Sequence, residues 1–299
     1  MSRRPVAPLA RRTVLAGGIL ALAGCGVRLE RSAPRIPGIP TQGPPPDGEL
    51  LLATIDRLNR AATTVGAAAS PWGTRLASVH LTQSRKVIEV AASQGVRVPT
   101  SAPTLPSTDG ATPLAVESEG ATPAVVRAIA GAEPAIMPML LVIAATQAAG
   151  SSLLGAPPAA DPAPVSGSVA NALLTPVRRA TYAVEVAIAK TPLAQRTTLR
   201  ALLTMLYAER SRIEVAAGAK APAPPTAFSL PVAADTPQRR TQLVQRVLAD
   251  VVQACGHATG TRDGLGGADG AVGLVRTWGV FLSAAWTAGV APAAFPGLR

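Results

Sequence analysis

Residues 236–257 read TPQRRTQLVQRVLADVVQACGH, and their spacing decides the fold class. Leu243, Val244, Val247, Leu248, Val251 and Val252 recur at steps of one and three, which places them on one stripe of a 3.6-residue repeat. A half-buried strand would need strict alternation instead. Thr236 ahead of Pro237 supplies a capping oxygen and a residue preset for the first helical turn. At the other end a cationic His257 would complement the helix dipole.

Similar stripes flank this segment. On its N-terminal side a helix is expected from Ser166 to about Lys190, bent at Pro176. Thr191-Pro192 caps the next, in which Leu199, Leu202, Leu203, Leu206 and Ile213 line one side until Gly218 stops it. A proline-rich crossing, Ala221 to Asp235, then leads to the quoted helix. After a glycine-rich turn at 264–270, Val275, Trp278, Leu282 and Ala285 mark a further helix, with Trp278 in the core and Trp286 flanking it. Near the N-terminus, Leu51, Ile55, Leu58, Ala62 and Val65 form one helix, and Leu76, Val79, Gln83, Val87 and Val90 form another. The short connection between them implies a hairpin over 49–95. Residues 99–121 read as a loop, followed by short helices opening at Thr122-Pro123 and Glu133-Pro134. No charge occurs from Ala135 to Ala160, but Pro138, Gln147 and Gly150-Ser151-Ser152 leave the apolar part too short to span a bilayer, so a buried helix is expected. Gly155 to Pro164 reads as a linker.

The composition agrees. Hydrophobic residues make up 48% of the chain and aromatic ones only 3%, so the core is aliphatic and rich in small residues, which favours close-packed helices over a sheet. The expected fold is all-α, with a helical hairpin and short helices over 49–155 followed by a bundle over 166–299. Two hairpins joined by one long crossing is the connection of a ferritin-like four-helix bundle. Tyr182, the long second helix, the proline-rich crossing and the ending RTWGVFLSAAWTAGVAPAAFPGL, Arg276–Leu298, resemble an uncharacterised ferritin-like domain family of actinobacterial proteins, often found as lipoproteins. The resemblance covers residues 166–299, and the hairpin at 49–95 resembles what commonly precedes that domain.

Residues 1–24 carry a separate message. Arg3, Arg4, Arg11 and Arg12 precede the uncharged run Thr13–Val27, which Gly17, Gly18, Gly24 and Gly26 dilute. This is the basic-then-apolar order of an export signal, and the run is too weak to span a membrane. Leu22-Ala23-Gly24-Cys25 matches a bacterial lipobox, in which small residues admit a peptidase and the Cys25 thiol accepts a diacylglyceryl group. Arg11-Arg12-Thr13-Val14-Leu15 resembles a twin-arginine export signal, although Ala10 and Val14 depart from its usual residues and leave ordinary secretion open. The expectation is a lipid-anchored, palmitate-bearing protein on the outer face of the bacterial cytoplasmic membrane. Residues 25–48, with Pro34, Pro37, Pro40, Pro44, Pro45 and Pro46, would form an extended tether. With Cys25 acylated, Cys255 has no cysteine to pair with. The net charge of +11 belongs partly to the leader. The remaining excess would be solvated helix charge or a surface for anionic lipids and wall polymers.

Chemistry is less legible. A ferritin-like di-metal site needs carboxylates on two helices and Glu-x-x-His on one or both others. Glu185 and Glu209 stand at suitable places, but Arg212 occupies the position three residues after Glu209, where imidazole would be required. Glu185, Glu209 and Glu214 therefore read as solvated charges paired with Arg178, Arg210 and Arg212. His80 would edge the core of the first hairpin. Cys255 and His257 are too few ligands for zinc. Nucleophile motifs and phosphate loops are absent, GTRDGLGGADG from Gly260 being a turn, and no interleaving of aromatic and basic residues points to nucleic acid. No catalytic residue, metal or cofactor is assigned. The expected role is a metal-free binding or scaffolding module of the cell envelope. Ala187, Ala201 and Ala216 would let helices approach, leaving a groove between hairpin and bundle for an apolar ligand, a partner helix or an envelope protein. The alternatives are a divergent metal-dependent oxidoreductase keeping one iron or manganese at Glu185 and Glu209, and a carrier of wall polymer or lipid.

Overall fold

A computed structural model describes residues 45–99, 111–156, 163–260 and 262–298, and among these every regular element is helical. The leader, with Arg11, Arg12, Leu22, Ala23, Gly24 and Cys25, and most of the tether lie outside the described residues. The helices are α1 Gly48–Gly66, α2 Gly73–Ser93, α3 Pro113–Gly120, α4 Pro123–Ala130, α5 Met137–Leu153, α6 Gly167–Ala189, α7 Thr197–Ala217, α8 Pro237–His257, α9 Arg262–Leu265 and α10 Gly267–Thr287.

Threonine–proline pairs start several of them. The hydroxyls of Thr112, Thr122 and Thr236 accept from the backbone N–H of Ala115, Val125 and Arg239, with proline at the first position each time. Thr112-Pro113 makes α3 a helix in the segment expected to be a loop, because the cap suffices once Val116 and Glu117 are buried. Two other pairs behave differently from expectation. Thr191-Pro192 opens only a 3₁₀ turn, Leu193–Gln195, and α7 starts after it. Thr191 instead closes the C-terminal end of α6, its N–H donating to Ile188 O and its hydroxyl to Ala187 O at 2.7 Å, and that hydroxyl accepts no backbone N–H of the 3₁₀ turn. At Glu133-Pro134 the chain makes a turn in which Glu133 N–H donates to Asp47, and α5 begins at Met137. Pro176 sits inside α6, which continues through it as one helix.

α1 and α2 pack on each other as a hairpin, burying Leu51, Leu58, Leu76 and Val87 completely. α3 lies across α1 and α5. Farther along, α6 packs on α7 and α8, and α8 packs on α10. The most extensive neighbour of α10 is α5, from the N-terminal half of the sequence, with α4 beside it. α5 is buried on nearly every side, which accounts for its charge-free composition. No helix among the described residues is long and apolar enough to cross a membrane. The described residues from 45 onward thus pack as one unit, with α4 and α5 lying against α10.

α10 supplies the largest core side chains, with Trp278 and Phe281 fully buried and Trp286 nearly so. Its contact with α5 is close because position 279 is glycine. A Cβ there would lie 2.6 Å from Ala148 Cβ, well inside contact distance. Gly279→Val is therefore expected to force α10 from α5 and cost about 2 kcal/mol by overpacking. Urea unfolding measures this, and a variant as stable as the parent would show that the seam yields freely.

Candidate functional site

A cavity of about 700 Å³ opens among the C-terminal ends of α5 and α10, the N-terminal halves of α7 and α8, and the Leu193–Gln195 turn. That volume is ample for a small-molecule site, for which ~300–1,000 Å³ is usual. Leu153, Leu199, Leu202, Met205, Val244 and Val280 form apolar parts of its wall. Ala201 and Ala284 also face it. The expected leucine stripe of α7 consequently divides. Leu206 and Ile213 are buried against neighbouring helices, while Leu199 and Leu202 stay half-buried on the cavity. Ala187 is buried in α6 and takes no part in the wall.

α7 packs along α6 and is tied to α10 one turn beyond the cavity wall, where Glu209 follows Met205 and Arg276 precedes Val280. Arg276 grips both oxygens of Glu209, at 2.6 and 2.9 Å, and Arg212 donates to Oε1 at 3.1 Å. The Glu209 side chain is only 4% exposed, so its expected role as a solvated charge is corrected: it is a buried anion in a fork of guanidinium donors. Burial pushes its carboxyl upward and Arg212 opposes this. Glu185 is engaged elsewhere, accepting from the Tyr207 hydroxyl at 2.7 Å on the surface. Glu214 pairs with Arg178 at 3.1 Å and lies 3.9 Å from Arg210. Among the described residues no group of three or more His, Cys, Asp or Glu side chains converges as a metal site. Cys255 is fully buried, and burial pushes its thiol far up, which makes it inert.

A second polar group lies deep between α2, α3 and α5. His80, expected at the edge of the hairpin core, is fully buried in contact with Glu117 of α3. Gln83 donates from Nε2 to Thr146 Oγ1 and to Ala294 O, so its Oε1 is the acceptor for His80 Nδ1 at 3.1 Å. Nδ1 therefore carries hydrogen, and Nε2 shares the remaining proton with Glu117 Oε1 at 2.7 Å. Burial opposes the charged imidazole, but the Glu117 carboxylate and the two hydrogen bonds outweigh it and hold His80 above its ordinary 6.5. Glu117 Oε2 and both amide atoms of Gln147 find no partner among the described residues. The two side chains fit because Gly150 faces Glu117 and Gly120 faces Gln147.

Sequence reasoning missed Arg276 and Glu117. The signal for Arg276 was its isolation, being the one charge between Asp269 and the end of an otherwise uncharged helix. No comparable signal marks Glu117, whose partner is 37 residues away on another helix. No protein-family model matches the chain, and no curated protein and no solved structure matches it.

Removing one member of the buried pair strands the other. Arg276→Leu is expected to cost about 3 kcal/mol in urea unfolding, and Glu209→Leu added to it to recover most of the loss. An additive second loss would refute the pairing. The stability that protonated His80 contributes is complete below pH 6.5, the ordinary imidazole value, and disappears as pH rises through the raised folded value. The melting temperature should fall over that range in the parent and lack this step in His80→Gln.

Proposed function

We propose that the chain is a lipid-anchored module of the bacterial cell envelope that binds an apolar ligand. The cavity of about 700 Å³ carries this reading. A helical domain of this size has enough apolar surface to close such a space, yet Leu199, Leu202, Met205 and Val280 are left facing it. In this reading residues 166–299 are a ferritin-like four-helix bundle in which α6–α7 and α8–α10 are the hairpins and Ala221–Asp235 the crossing. A tilted ring contact between Tyr182 and Phe228, centroids 6.0 Å apart, ties the crossing to α6.

The bundle would be metal-free. Both Glu209 oxygens are held by Arg276, and Glu185 accepts from Tyr207, so the pair needed for a divergent oxidoreductase is already committed to other partners. The anchor would be a diacylglyceryl group on Cys25 after export, with the prolines beyond it as spacer.

Two measurements test the reading. Phenylnaphthylamine, an uncharged dye that brightens in apolar sites, is expected to bind the parent, and Ala284→Trp to abolish binding by filling the cavity without lowering the melting temperature. Equal dye binding by both proteins would overturn the assignment of the cavity. In cells, Cys25→Ser is expected to move the protein from the membrane fraction to the soluble one and to prevent incorporation of labelled palmitate. An unchanged membrane fraction would remove the anchor from the proposal.

A further inference from the structure

The wall of the cavity is graded. Toward the middle of α7, α8 and α10 it presents half-buried Leu202, Met205 and Val280 and buried Val244. Its outer part, at the first turn of α7, the first two turns of α8 and the last of α10, presents exposed Thr198, Thr241 and Thr287 together with half-buried Arg240. An apolar floor under a polar rim is the complement of an amphiphile rather than of a wholly apolar molecule.

Arg240 specifies the head group. It is the one charged residue on the cavity wall among the described residues, and it is half-buried. Neighbouring charges are already matched: Arg239 bonds to Asp235 at 3.1 Å, and Arg246 to Asp250 at 3.2 Å. The Arg240 guanidinium, by contrast, makes no hydrogen bond or ion pair among the described residues. It also stands in the first turn of α8, where the helix dipole adds positive potential. A single uncompensated cation calls for a single negative charge, and the planar fork of guanidinium N–H donors matches the two oxygens of a carboxylate.

We propose that the cavity binds a long-chain carboxylate, its alkyl chain against Leu202, Met205, Val244 and Val280 and its carboxylate at Arg240. This deepens the apolar-ligand reading and rests on it. The acid enters as the anion, so binding needs no proton transfer.

The test uses the full chain carrying Cys25→Ser, so that no covalent acyl chain competes, and titrates it by calorimetry with dodecanoate, dodecanol and dodecyl phosphate. Dodecanoate is expected to bind about tenfold more tightly than dodecanol, the worth of one charge-assisted contact. Arg240→Gln should erase that difference by weakening dodecanoate alone, with dodecanol affinity and melting temperature unchanged. Equal affinities for dodecanoate and dodecanol in the parent would overturn the head-group assignment while leaving the apolar site standing. Tighter binding of dodecyl phosphate would overturn the carboxylate in favour of a phosphate head. Binding of none of the three would overturn the apolar site and this inference with it.

Discussion

At Gly279, α10 lies against Ala148 of α5 with no room for a side chain between them, and this seam joins the two halves of the sequence. Trp278 and Phe281 flank the glycine and are wholly buried. Among the described residues, the fully or nearly fully buried aromatic side chains, Trp278, Phe281 and Trp286, all stand on that one helix. Because α10 turns its most extensive contact toward α5, it cannot also close along the full length of α7. The close seam on one side and the cavity on the other are consequences of the same placement.

The Glu209–Arg276 pair sets where the opening stops. A buried carboxylate gripped on both oxygens is costly to desolvate and costly to break, so it fixes position more than it adds stability. Beyond it, Ile213 and Ala217 of α7 are buried. Ahead of it, Leu199, Leu202 and Met205 face the cavity. The proposed ligand site is therefore bounded by a polar contact instead of being a packing fault spread through the domain. The His80–Glu117 pair plays a comparable part at the other end, holding α3 to α2, while the Gln83 amide reaches the backbone of Ala294 near the C-terminus. Both pairs bridge segments far apart in the chain.

Helices whose stripes are strong, such as α1, α2 and α8, were legible because burying a periodic apolar face is a local consequence of side-chain order. The short elements were less so. Thr112-Pro113 and Thr191-Pro192 are the same dipeptide, yet the first opens a helix and the second a 3₁₀ turn: the Thr112 hydroxyl accepts from Ala115 N–H, whereas Thr191 is taken up in closing α6, with its N–H on Ile188 O and its hydroxyl on Ala187 O. The candidate site was legible only in part: an apolar groove was expected, but between the hairpin and the bundle, and Ala201 alone of the three small residues named for it faces the cavity. Glu209 was read as solvated because an Arg three residues away offers a surface partner. Its burial depends on Arg276, 67 residues distant.

By itself, the order of residues determined that this chain is helical, which faces of its longer helices turn inward, and that a charge-free segment had to be buried. These follow from local periodicity, capping chemistry and the solvation of charge. Tertiary structure alone decided that α10 packs on α5, that α7 stands away from α8 and α10 to leave a cavity, and that Arg240 at its rim has no partner among the described residues. Those outcomes depend on which distant surfaces compete for the same contact, and close packing settles that competition over the whole unit at once.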